Sequence, residues 1–317
     1  MSFLARNLKV FSQFSPPEQV RLFFGLCASR FHTPINGTRG LINTKGQFEI
    51  LMRAGIRLNR ASDRLTLITD SSDSETGTYQ VLVRRDSSDI DIFIQVILDK
   101  EYRPVFDLLN TGWPHEEASV IIDAGGYIGI TGLYFHALFP NATIIVLEPN
   151  AENFSLLKRN VELNKRTNFS LLPAGLWGRD ESLAAVEKFR DGQPWSFSLE
   201  RSTGAEVNSI RGITLETLLG QFSLDHIDVL KMDIEGAERF VFEDEGRISA
   251  ILSRVKVIAI EIHDEFNCRE KIVDILKRNS FVLFQHGELT IGHNSSLADA
   301  NKRTGKLTAH PEITNNE

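Results

Sequence analysis

The sequence predicts a Rossmann-like α/β fold, a largely parallel sheet with helices on both faces, preceded by a small α+β accessory region. Three observations carry this. The stretch Val120 to Glu148, VIIDAGGYIGITGLYFHALFPNATIIVLE, reads as a buried strand, a glycine turn, a helix and a second strand ending in a carboxylate. The same alternation recurs at Phe169 to Leu172, Ile227 to Asp233 and Val255 to Ile262, short apolar runs each followed by helical spacing. A chain of 317 residues suits one full-sized core with a smaller addition.

In chain order, Met1 to Phe14 mixes apolar and basic residues, and Arg6 and Lys9 interrupt any leader-peptide core, so a surface helix is expected. Ser15-Pro16-Pro17-Glu18 is a capping-box start, and Val20, Leu22, Phe23, Leu26 and Cys27 give the following helix an apolar face. Three β-like runs follow, Phe48 to Leu51, Leu65 to Thr69 and Tyr79 to Arg84, which predict an antiparallel subdomain within residues 1–85. Ser87-Ser88-Asp89 caps a helix from Ile90 to about Leu98, and its continuation to Tyr102 is expected beside the mouth of the site.

The core proper starts at Val120-Ile121-Ile122. Asp123-Ala124-Gly125-Gly126 forces a turn, Tyr127 to Phe139 has helical spacing, and Pro140-Asn141 ends it before the strand Thr143 to Leu147. Pro149-Asn150 opens a helix bearing Phe154, Leu157 and Val161, and Ala174 to Trp177 follows the third strand, with Trp177 read as a core residue. Phe189 to Arg211 is irregular and is expected to be a lid or substrate loop. Ile213 to Leu219 is a short helix, and Ile234 to Glu238 turns out of the fourth strand into another, with Glu238 read as a helix cap. Glu261 and His263 end the fifth strand, Glu270 to Arg278 is a helix, and Phe281 to Gln285 with Leu289 to Ile291 forms a closing hairpin. Residues 294–317 are polar and are expected to be a disordered tail.

Composition narrows the partners. Net charge is −7, and no long Lys/Arg run occurs, which argues against nucleic acid and anionic membranes. No stretch is long and apolar enough to be a transmembrane segment. Two cysteines, Cys27 and Cys268, offer neither a disulfide framework nor metal spacing, so a cytoplasmic chain is expected. The expected ligand is small.

The turn itself says which one. A dinucleotide fingerprint needs glycine where Tyr127 stands, and the motif is instead Asp-x-Gly-x-x-x-Gly, from Asp123 through Gly125 to Gly129. An acid at the strand tip repels a pyrophosphate but suits S-adenosylmethionine, which carries an ammonium and a sulfonium. Glu148, at the tip of the next strand, is placed to accept hydrogen bonds from both ribose hydroxyls. Asp123, Glu148, Asp233, Glu235, Glu261 and His263 are expected on one rim, beyond the carboxyl ends of the strands. Asp233 is the first candidate for a general base and His263 the second, with Glu235 at the same tip. No ligand spacing compels a metal ion.

The leader SSDIDIFIQVILDKEY, the turn DAGGYIG with EPN after the second strand, and DVLKMDIEGAE followed by IEIH resemble the FkbM family of S-adenosylmethionine-dependent methyltransferases over about residues 86–293. The resemblance implies a seven-stranded class I methyltransferase sheet. It also implies O-methylation of a free hydroxyl on a small molecule or glycan, often a sugar or secondary metabolite. Asp123, Gly125, Gly126, Tyr127, Gly129, Glu148 and Pro149 become the expected cofactor contacts. Tyr127 is a departure, since the family usually has Asn there. A nicotinamide-dependent oxidoreductase and a non-catalytic cofactor-binding module are the rival classes, the first disfavoured by Asp123 and the missing glycine.

Overall fold

The computed structural model describes residues 10–30, 39–61, 64–69, 78–85, 87–113, 118–186, 197–202 and 209–308. Most of Met1 to Phe14 therefore lies outside the described residues, although Val10 and Phe14 are buried. Helix α1 (Pro16–Arg30) begins as the capping box requires: Glu18 accepts from the Ser15 backbone N–H at 2.6 Å and from its hydroxyl at 2.7 Å. Leu22 on this helix is buried, whereas Val20 and Phe23 are exposed. Helix α2 (Arg39–Arg53) takes in Phe48 to Leu51, which corrects the strand expected there. Phe48 and Leu51 are both fully buried, and a spacing of three is that of one helix face, which so short an apolar run does not distinguish from a strand. Strands β1 (Arg57–Ala61), β2 (Arg64–Ile68) and β3 (Gln80–Arg84) make an antiparallel sheet in that order.

Helix α3 (Asp89–Phe93) runs into a π-helical turn, Ile94–Leu98, and then into α4 (Arg103–Gly112). The central unit follows as β4 (Val120–Ala124), α5 (Ile130–Leu138), β5 (Thr143–Leu147), α6 (Ala151–Leu163) and β6 (Phe169–Leu172). Helix α5 starts three residues later than its apolar spacing predicts, because Gly129 at φ +90° ends the turn as the N-cap. Strands β7 (Ala174–Leu176), β8 (Ser182–Ala185), β9 (Leu199–Arg201) and β10 (Ile210–Ile213) form a separate four-stranded sheet in the order β7-β10-β8-β9. Residues 199–201 and 210–211 of the expected Phe189 to Arg211 loop are thus in strands, and its residues 189–196 and 203–208 lie outside the described residues.

The remaining elements are α7 (Leu215–Gln221), β11 (Ile227–Met232), α8 (Glu238–Val241), α9 (Glu245–Leu252), β12 (Val255–Glu261), α10 (Arg269–Arg278), β13 (Phe281–His286), β14 (Leu289–Asn294) and α11 (Ser295–Thr308). Helix α11 corrects the disordered tail: Asn294 accepts from the Leu297 N–H at 3.3 Å and Ala298 is buried, so a cap and a small apolar face dock it. Only residues 309–317 of that tail lie outside the described residues.

The main sheet has seven strands in the order β13-β14-β12-β11-β4-β5-β6, all parallel except β14. Alternate residues feed two apolar layers. Ile121, Ile144, Val146, Val229 and Val257 face α4, α5 and α6, whereas Ile122, Ile145, Leu147, Leu230 and Ile258 face α7, α9 and α10. From β4 the chain moves outward to β5 and later returns to β11 on the other side. That reversal opens a crevice at the carboxyl ends of the two strands.

Candidate active site

A cavity of about 390 Å³ lies at this crevice, within the usual range for a small-molecule site. Gly125 lets it form. Its φ is +78°, and a Cβ there would fall 1.7 Å from the Asp233 carbonyl oxygen, so only glycine lets the ends of β4 and β11 approach this closely. Tyr127 also takes a left-handed φ, +51°, which is strained for a bulky residue. Its N–H donates to Glu148 at 2.8 Å, and its hydroxyl donates to Asp89 and lies 3.0 Å from the Ser88 hydroxyl. Arg84 completes the clasp, 3.1 Å from the same hydroxyl and 2.8 Å from Asp89.

Glu148 lines the cavity although only 4% exposed. One carboxylate oxygen accepts from the Tyr127 N–H and the other from the Asn150 N–H, each at 2.8 Å. Burial pushes its carboxyl up to about 7, against the opposing pull of the Asn150 and Tyr127 N–H groups. The oxygen facing Tyr127 keeps a lone pair for a further donor, while the one facing Asn150 also accepts from the Asn153 side-chain amide at 3.5 Å. Pro149, Gly175, Leu176 and Leu199 extend a mostly apolar wall beside it.

Asp123 is placed differently from expectation. It is fully buried, outside the cavity lining, and pairs with Lys231 Nζ at 3.1 Å. Lys231 also donates to the Gly125 carbonyl at 2.6 Å, and burial, which alone would lower its affinity for a proton, is outweighed by Asp123 and Asp233. The acid at the strand tip thus anchors a lysine that braces the glycine turn, and the expectation that Asp123 attracts a cationic ligand is corrected accordingly. Gly126 and Gly129 likewise shape the turn from behind: a Cβ on either would meet Val146 at 2.0 Å or Leu157 at 2.6 Å.

At the far end, Asp233, Glu235 and Glu261 line the cavity together with Glu101 and Glu288. Glu235 has φ +53° and Gly236 φ +91°, so the chain doubles back at the tip of β11 and presents both carboxylates inward. His263 lies behind them, with Nδ1 3.1 Å from Glu238 and Nε2 3.4 Å from Glu235 and 3.5 Å from Glu261. Burial alone would depress its basicity, but the Glu238 hydrogen bond and the surrounding carboxylates raise it to about 9. Burial, reinforced by Asp233, pushes Glu261 up to about 8. Glu238 is wholly buried and accepts from the Ile234 N–H at 3.0 Å, in the turn before α8; the N-cap is Ala237 and no side chain caps the helix, which corrects the capping role expected of Glu238. Trp177 is core, as read, and donates to Glu181 at 2.7 Å.

The sequence reading missed Lys231, Gln95, Glu101, Tyr102, Thr131 and Glu288, all of which border the cavity. The leader's expected position beside the mouth was the one signal for Gln95, Glu101 and Tyr102; nothing local marks Glu288, in the hairpin turn between β13 and β14. Among the described residues no helix is long and apolar enough to cross a membrane.

The sequence matches the methyltransferase FkbM domain over residues 123–289. It is similar to Methyltransferase 1 of Beauveria bassiana (strain ARSEF 2860), 29% identical over 146 residues that cover 39% of this chain and 57% of that protein. It is also similar to the AMB antimetabolite synthetase AmbE of Pseudomonas aeruginosa, 23% identical over 202 residues covering 51% of this chain and 9% of that protein. The chain therefore spans less than two thirds of either relative. Among solved structures, an rRNA methylase from Streptococcus thermophilus aligns at 12% identity and a TM-score of 0.38, covering 61% of this chain and 96% of that one.

Proposed function

The chain belongs to the FkbM methyltransferase family, and from that premise we propose that it is an S-adenosylmethionine-dependent O-methyltransferase acting on a hydroxyl of a sugar, glycan or secondary metabolite. The observation that carries the reading is one cavity with Glu148 and an apolar wall at one end and Asp233 at the other. The residues fit the cofactor. Glu148 has a carboxylate oxygen with a lone pair left for a ribose hydroxyl, Leu176 and Leu199 give a flat ring an apolar seat, and the cavity's carboxylates complement an ammonium and a sulfonium.

When bound, S-adenosylmethionine supplies a methyl carbon already activated by its sulfonium. The protein's own work is alignment, exclusion of water and removal of one proton. Asp233, at the tip of β11 and in the cavity lining, receives the proton that the acceptor hydroxyl gives up. His263 is a poorer base, since it already holds a proton near neutrality and lies behind Glu235 and Glu261.

The test is incubation with methyl-labelled cofactor and a panel of sugars, glycans and hydroxylated metabolites. The expected product carries the label as a base-stable ether. Failure of the protein to bind S-adenosylmethionine in titration calorimetry overturns the reading.

A further inference from the structure

Hydrogen bonding satisfies only one of the two ring nitrogens of His263. Its side chain is 1% exposed, and Glu238 fixes the ring by accepting from Nδ1 at 3.1 Å. When the proton on Nε2 leaves, that atom presents a lone pair while Nδ1 keeps its proton toward Glu238. Nε2 is buried and has no hydrogen-bond partner, yet it points at carboxylate oxygens of Glu235 and Glu261, 3.4 and 3.5 Å away. A divalent cation between the nitrogen and these carboxylates takes that proton's place.

The donors for such a cation are present. His263, Asp233 and Glu261 each offer one ligand atom, and these lie within 4.8 Å of one another. Metal–ligand bonds of about 2.1 Å put adjacent donors about 3 Å apart and opposite donors about 4 Å apart, so a small inward movement of exposed-end carboxylates closes the shell. The buried Glu238 behind the imidazole is the carboxylate partner that ligating histidines commonly have. One nitrogen with two carboxylates suits a divalent transition ion better than Ca²⁺, which takes oxygen alone.

We propose that Asp233, Glu261 and His263 Nε2 form a binding site for a divalent transition cation, Mn²⁺ in the first instance, at the acceptor end of the cavity. Its open positions face the cavity, where they take the acceptor hydroxyl and a neighbouring oxygen of the same molecule. That last step, and only that one, rests on the methyl-transfer reading. The acceptor class it favours is one with adjacent oxygens, such as a vicinal diol of a sugar. One oxygen of Asp233 then binds the cation and the other remains available for the hydroxyl proton.

The experiment uses the whole chain, freed of metal with a chelator and titrated with MnCl₂ while the signal of free Mn²⁺ is followed by electron paramagnetic resonance. Saturable uptake of one equivalent is expected, weakened at least about tenfold in Glu261→Gln and in His263→Gln. Circular dichroism establishes that each variant is folded, and Glu261, being partly exposed, is the more tolerant position. Absence of saturable uptake by the unaltered protein overturns the proposal, as does uptake that folded variants leave unchanged. S-adenosylmethionine binding is measured on the same metal-free sample. Cofactor binding without Mn²⁺ uptake sinks the cation site and leaves methyl transfer standing, whereas Mn²⁺ uptake without cofactor binding supports the site and sinks methyl transfer.

Discussion

Glu148 couples pH to both stability and ligand binding, with opposite signs. Its carboxyl is raised from 4.5 to about 7, chiefly by burial, so the folded protein without ligand holds a proton there that the unfolded chain has released. The contribution to stability is therefore fully present below about pH 4.5, and it is lost as pH rises towards 7. At about 1.4 kcal/mol per pH unit the whole difference is roughly 3 kcal/mol. Ribose hydroxyls favour the ionised form, so ligand binding releases the proton below pH 7. The dissociation constant of S-adenosylhomocysteine should consequently tighten by up to tenfold per unit between about pH 6 and 7 and level off above that. Calorimetry in two buffers of different ionisation enthalpy reads the proton release directly. Glu148→Gln removes the titration, and the difference between the two proteins' denaturation midpoints across this pH range isolates the residue from other titrating groups. An affinity that is flat from about pH 6 to 8, or a slope that persists in Glu148→Gln, refutes the assignment of the ribose to Glu148.

Asp233→Asn should keep cofactor affinity and lower single-turnover methylation about 10²-fold or more; a rate within about twofold of the parent excludes it as the base. Lys231→Met strands the buried Asp123 charge and should cost about 3–5 kcal/mol in urea denaturation, with part of the loss recovered in the double variant Asp123→Asn/Lys231→Met. Equal stabilities of single and double variants would show that the pair is not coupled. Asn160→Ala unpairs the Leu82 N–H and the Leu82 and Ile128 carbonyls, bonded at 2.7, 3.1 and 2.8 Å, and should cost at least about 2 kcal/mol by the same measurement.

The parallel core was legible because its strands are bounded apolar runs, and a turn such as DAGGYIG admits few other structures. What escaped the sequence depends on strand order. Asp123 and Lys231 are direct cross-strand partners between β4 and β11, but they are over a hundred positions apart, and nothing local says that those strands adjoin. Without that register an acid at a strand tip reads as a ligand contact. Likewise His263 follows Glu261 by two residues, and alternation would point both the same way. They do converge, with Nε2 3.5 Å from Glu261, but the burial of the ring against Glu238 depends on where α8 packs, which the sequence does not show. The tail misled for another reason: capping by Asn294 and docking of Ala298 are tertiary gains that composition does not register.

A boundary at residue 85 follows from the extent of the family resemblance, but the contacts cross it. Phe14, Leu22, Phe48, Leu65, Val81 and Val83 belong to the same apolar cluster as Ile121, Val146 and Val229 of the main sheet. The outer edge of β3 is sealed by groups from beyond that boundary. The N–H groups of Gln80, Leu82 and Arg84 donate to Asn164, Asn160 and Asp89 at 2.8, 2.7 and 2.7 Å, which replaces a neighbouring strand with side chains. Arg84 then passes through Asp89 to the Tyr127 hydroxyl, and the Tyr127 N–H holds Glu148. A chain begun at residue 86 lacks Arg84, uncovers part of the apolar layer and strips Asn160 and Asn164 of strand partners. The glycine turn is therefore braced from the region that the sequence sets apart, and removing that region is expected to loosen the hold of Tyr127 on Glu148.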